Sequence, residues 1–234
     1  MIDSLILIAS VALGSLIAYL LKSSKNKSLK ILLTFSGAYL LSVGLLHLLP
    51  EIYDGHNHSM GLYIMGGVLI QLILEFFSMG VEHGHAHTEL FKNKGIPIAI
   101  ILSLFVHAFM ESLPISLHTD HGHSNSFLWA IVVHKLPVSI ILFLMISEVF
   151  QSKWKIAFYM LAFALIAPLG VFVGGYFEFL ADYYREITAL VLGIFLHIST
   201  TILFEATQSH SFNIIKFITT LAAVAIAWLS ASSH

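Results

Sequence analysis

The sequence contains no cysteine. That excludes disulfides and removes the thiolate from the possible metal ligands, leaving imidazole, carboxylate, hydroxyl and carbonyl groups. Charge is also scarce: Asp, Glu, Lys and Arg make up 10% of 234 residues, where a soluble domain carries roughly 25%. No basic stretch with interleaved aromatics is present, which argues against nucleic acid as a partner. The net charge of −2 points to no class of partner. No His-Glu-x-x-His segment occurs either, so the commonest zinc-hydrolase signature is missing. What the chain has instead is 58% apolar residues and a mean hydropathy of +0.90. It reads as an integral membrane protein.

Apolar runs of about 20 residues suit membrane helices, whereas barrel strands would give alternating segments of about 10. Eight such spans are expected, at 2–21, 31–50, 61–81, 96–117, 127–149, 155–177, 187–206 and 213–231. The fold class is therefore an all-α bundle of eight transmembrane helices, with residues 1–234 forming one membrane domain. The first span lacks a basic leader and is followed by lysines, so it is expected to remain as a helix. Lys22, Lys25, Lys27, Lys30, Lys92, Lys94, Lys153, Lys155 and Lys216 fall in alternate connections, against Arg185 alone on the other side. By the positive-inside rule both termini are extracytoplasmic. Gly66, Gly67, Gly170, Gly174 and Gly175 would let helices approach closely, as packing features.

Against this apolar background, ionisable groups inside the spans are expensive, at about 2.5–3.5 kcal/mol each at mid-bilayer on insertion scales. The fourth span carries Ser103, His107 and Glu111 at successive i+4 steps, which places all three on one helix face. Pro114 follows just beyond, and the fifth span carries His134, Lys135 and Pro137. Both spans are expected to be weakened near these prolines, as at the ion-binding midpoints of transporters. Neutral imidazoles and a carboxylate suit Zn²⁺, and after it Fe²⁺, Mn²⁺, Co²⁺, Ni²⁺ or Cd²⁺. His107, Glu111 and His134 are the candidate metal ligands. Lys135 can pair with Glu111 and compete with metal for it. The bland alternative is a structural network in which these groups bond one another and the helix backbone.

Other polar residues are less distinctive. Glu75 in the third span and His197 in the seventh either line a path or tie helices together. His47, with Glu51 after it, either hands ions inward or lies at the membrane interface. The outer connections hold Glu51, Asp54, His56 and His58, then His118, Asp120, His121 and His123, then Glu178, Asp182 and Glu186. Each is an ordinary solvated loop or part of an entrance that gathers cations. On the inner side, residues 82–95 form a His-rich loop in which His83, His85 and His87 are candidates for metal contact.

Taken together, these motifs resemble the ZIP (Zrt-, Irt-like) family of divalent metal transporters. The resemblance lies in His47-Leu-Leu-Pro50-Glu51, Glu75 before the His-rich loop, His107-x-x-x-Glu111, His134-Lys135-x-Pro137, and Ala167-Pro168-Leu169-Gly170. It covers nearly the whole chain. It implies that spans 1, 4, 5 and 6 move as a bundle against spans 2, 3, 7 and 8, commonly in a homodimer. It also implies that His107, Glu111 and His134 form the transport site.

Two-metal members carry Asn where this chain has Ala108, and acids where it has Lys135, Val138 and Ala167. One ion per site is therefore expected, with the Lys135 ammonium in the second cation's place. The family's Gly after the fourth-span acid is Ser112 here, which alters a local helix contact.

The expected function is uptake of one divalent ion, zinc first, through a cell membrane, with a bacterial inner membrane as the setting. The lipid bilayer and the ion are its partners, and no prosthetic group is expected. It is read as a transporter rather than an enzyme, with an intramembrane zinc-dependent hydrolase as the competing reading. Protons compete with metal at His and Glu, so uptake should fall below about pH 6.5.

Overall fold

The computed structural model describes residues 1–21, 27–54, 59–83, 96–117, 124–205 and 213–232. His56, His58, His85, His87, His118, Asp120, His121 and His123 lie outside them, as do Lys22, Lys25, Lys92 and Lys94. The described residues are helical with irregular joints and contain no strand. The helices are α1 (Ile2–Leu21), α2 (Lys27–Val43), α3 (Leu49–Tyr53), α4 (Met60–Ser78), α5 (Ile98–Ser112), α6 (Ser124–Val149), α7 (Lys153–Tyr176), α8 (Tyr184–Glu205) and α9 (Ile214–Ser232). Among the described residues, seven helical segments are long and apolar enough to cross a bilayer, and α9 adds a shorter apolar stretch, Ile214–Ser230. This is an integral membrane helical bundle.

Its solvation is inverted relative to a soluble protein. Leu62, Met65, Leu69, Leu72, Ile73 and Phe76 stand exposed along α4, while Lys135, Glu111, His107 and His134 are each at most 2% exposed. Apolar side chains facing hydrocarbon lose nothing, whereas charged ones must find partners inside.

The joints differ from the expected spans in ways that have local causes. The second span is longer than 31–50: α2 and α3 join through a π-helical turn, Gly44–Leu48, into one rod from Lys27 to Tyr53. In that turn the Leu49 N–H reaches back to the Gly44 carbonyl. Pro50, which has no N–H to give, sits just beyond and favours such an inserted residue. The third span stops at Ser78 rather than 81, because Met79 and Gly80 take left-handed φ values of 56° and 73°. The following 3₁₀ turn, Val81–His83, folds back onto α4, α6 and α8. Glu82 and His83, expected at the start of a loop, are therefore buried.

The fourth span is interrupted as expected, α5 passing into a 3₁₀ turn at Leu113–Ser116 around Pro114. The fifth is not: α6 continues through Pro137. Residues on both sides of Pro137, such as Ile131 and Val138, are buried, and packing by neighbours holds such a helix together.

The helices sort into two groups. In one, α1 and α7 pack against each other, α1 also packs on α6, and α5 and α6 pack on α7. In the other, α4 packs on α8 and α2 on both α8 and α9. The groups meet chiefly where α2 faces α6 and α4 faces α5. This is the partition implied by the family resemblance.

Glycine sets the closest approach within the second group. A Cβ on Gly67 would lie 1.9 Å from the Leu190 carbonyl oxygen, and one on Gly193 2.0 Å from that of Ile64. Within the first group, Gly170 makes room for Ser112, whose hydroxyl donates to Phe109 O at 2.9 Å.

Candidate metal centre

Because α5 turns 3.6 residues per cycle, His107 and Glu111 stack on one face, with Nε2 3.3 Å from Oε2. The packing of the helix groups then brings His134 of α6 opposite, its ring centroid 5.8 Å from that of His107. His107 Nε2, Glu111 Oε2 and His134 Nε2 are all buried and have no hydrogen-bond partner. One ligand atom from each of the three residues falls within 4.8 Å of the others. Donors bound tetrahedrally to zinc at 2.0–2.1 Å sit about 3.3 Å apart. Small side-chain movements would therefore close these atoms around an ion.

The remaining atoms of these side chains are held. Lys135 Nζ donates to Glu111 Oε1 at 2.5 Å. The same ammonium lies 5.1 Å from the centre of the Phe163 ring, whose face offsets part of its lost hydration. One glutamate oxygen is thus neutralised while the other stays available. His107 Nδ1 lies 3.1 Å from Gln71 Oε1 on α4, and His134 Nδ1 lies 3.4 Å from Ser36 Oγ on α2. Both contacts cross from the second helix group to the first.

A second cluster joins Glu75 of α4, His83 of the 3₁₀ turn and His197 of α8, with ligand atoms again within 4.8 Å. His83 Nε2 is 3.5 Å from Glu75 Oε2, and His197 Nε2 is hydrogen-bonded to the same oxygen. The side chains of Glu75 and His197 are 26% and 15% exposed, so this cluster is more open than the first. Beside it, Ser78 donates to buried Glu82 at 2.7 Å. Gln71 and Glu75 are one helical turn apart on α4, a rise of about 6 Å. The two clusters are thus neighbours along a single helix face.

His47 and Glu51 join neither cluster. His47 is buried in the π-helical turn, its Nε2 3.3 Å from Ala227 O. Glu51 accepts from the Tyr184 hydroxyl at 2.6 Å, and Arg185 donates to Asp54 O, which ties α3 to the start of α8. Glu178 and Asp182 are exposed, as is Glu148.

His83, a candidate metal contact from the sequence, is buried against α4, α6 and α8 rather than lying in a loop. Gln71 and Ser36 are participants that no sequence motif singles out. A glutamine in a long apolar span, one turn from Glu75, is itself a signal of an inward face.

The sequence pattern of the ZIP Zinc transporter family matches residues 80–231. The chain is also similar to zinc transporter ZIP1 of Danio rerio, at 32% identity over 94 residues. That stretch covers 38% of this chain and 30% of that protein.

Proposed function

The chain belongs to the ZIP zinc transporter family, and from this premise we propose that it carries a divalent metal ion, zinc first, across the membrane into the cytoplasm. The observation that supports this best is the convergence of three buried, unpartnered donor atoms from His107, Glu111 and His134 in an apolar bundle. An unsatisfied buried donor or acceptor costs about 1–3 kcal/mol, so three converging on one point suggest a place kept for an ion.

On this reading α2 and α3 form one of eight crossings, and both termini lie outside. The setting is a multi-pass cell membrane, a bacterial inner membrane, with a homodimer as the assembly that the family suggests.

The ion enters past His47 and Glu51. It gives up part of its hydration to His107, Glu111 and His134, and leaves by Glu75, His83 and His197 toward His85 and His87. Before the ion arrives, Glu111 and Lys135 sum to zero charge. With one dication bound, a second at the same place would face the ion and the ammonium together, which favours a single ion. The ammonium also lowers affinity for the first ion, and a carried ion must be able to leave.

Nothing in the geometry favours the hydrolase reading. Glu111 is already paired with Lys135, and among the described residues no second carboxylate joins the first cluster.

The test is zinc uptake into proteoliposomes. His107→Ala and Glu111→Ala should each abolish uptake, whereas uptake unchanged in both would overturn the assignment.

A further inference from the structure

We propose that Gln71 is a positioning residue for the metal site: from α4 it fixes the tautomer of His107 and so keeps both His107 and Glu111 open to metal. This rests on His107 being a ligand, as proposed above.

Gln71 is fully buried in an otherwise apolar helix, where an amide is costly unless it bonds something. Its Oε1 faces His107 Nδ1 at 3.1 Å, while its Nε2 has no partner. An amide oxygen can only accept, so Nδ1 carries the ring proton, and Nε2 presents its lone pair to the centre of the cluster.

The alternative tautomer would be damaging here. With the proton on Nε2, the ring would donate to Glu111 Oε2, only 3.3 Å away. One hydrogen bond would then occupy a nitrogen ligand and an oxygen ligand together. Removing the acceptor on Nδ1 populates that closed form, and the apparent dissociation constant rises in inverse proportion to the competent fraction that remains. Partners of this kind typically matter by about 10–100-fold in metal affinity.

The contact also spans the two helix groups, α4 belonging to one and α5 to the other. Sliding one group against the other takes Gln71 away from His107. The site would then lose its orienting acceptor as it leaves this arrangement, which couples affinity to conformation.

The direct readout needs no metal and leaves Gln71 unchanged. In metal-free protein carrying ¹⁵N-histidine, with His107 assigned by difference against His107→Asn, nitrogen NMR should show Nδ1 protonated and Nε2 bare. Protonated Nε2 would overturn the proposal, because a flipped Gln71 amide would then be donating to Nδ1. Gln71→Met should shift the ring toward the Nε2–H form and weaken zinc binding at least about tenfold in competition with a chromophoric chelator. Gln71→Glu, which keeps an acceptor, should restore the Nδ1–H form. Unchanged tautomer and affinity in Gln71→Met would also overturn it. If His107→Ala binds zinc as the wild type does, the ligand assignment itself fails. If His107→Ala loses binding while Gln71→Met keeps it, only the role of Gln71 fails.

Discussion

The two clusters along α4 are built from the same chemistry, two imidazoles and one carboxylate, yet their surroundings differ. His107, Glu111 and His134 are sealed from solvent, and their carboxylate is paired with Lys135. Glu75, His83 and His197 form the partly exposed cluster, in which both imidazoles face one carboxylate oxygen. A sealed site whose charge is offset by a fixed cation can hold one dication without trapping it. A partly open site of the same ligands can pass that ion on to water. On the proposed function, burial and the neighbouring cation, more than ligand identity, would separate the two roles.

The comparison breaks most sharply if the two clusters respond alike to ligand removal. Replacing both His107 and Glu111 by Ala should lower zinc uptake in proteoliposomes by at least about 100-fold, since no ligand on α5 remains. Removing the cation sharpens it. Lys135→Met leaves Glu111 without its partner, so chelator competition should show zinc bound about tenfold or more tighter, with slower turnover in uptake. Looser binding in Lys135→Met would mean that the ammonium supports the site rather than opposing the ion. Next comes the open cluster, where Glu75→Ala with His197→Ala should reduce maximal uptake by about tenfold or less and leave zinc affinity at the sealed site intact. The smallest effect is proton competition. Protons compete with metal for imidazole nitrogen and carboxylate oxygen, so the zinc KM should rise as the pH is lowered. A KM that fell with added acid would contradict ligand protonation.

Much of this architecture can be read from the sequence because membrane physics writes it in long strokes. Apolar runs of membrane-spanning length announce helices, and His107 with Glu111 at i, i+4 announces a shared face. The arrival of His134 and Lys135 at that face depends on how α6 packs, which no local pattern specifies.

His83 is buried although Glu82-His83 reads as polar loop. Its burial follows from the left-handed backbone at Met79 and Gly80, a turn at a non-glycine residue that composition does not signal. The continuity of α6 through Pro137 has the same origin, since packing by neighbours overrides a local breaker. Gln71 is hard to read for a different reason: it carries no charge to mark it, yet an amide buried in an apolar helix is rarely idle.

The central claim is best tested by locating the ion. Crystals of the protein grown with zinc and measured at the zinc absorption edge should show an anomalous peak bounded by His107, Glu111 and His134, with Lys135 still against Glu111. Density for zinc elsewhere in the bundle, with none between those three side chains, would contradict the account.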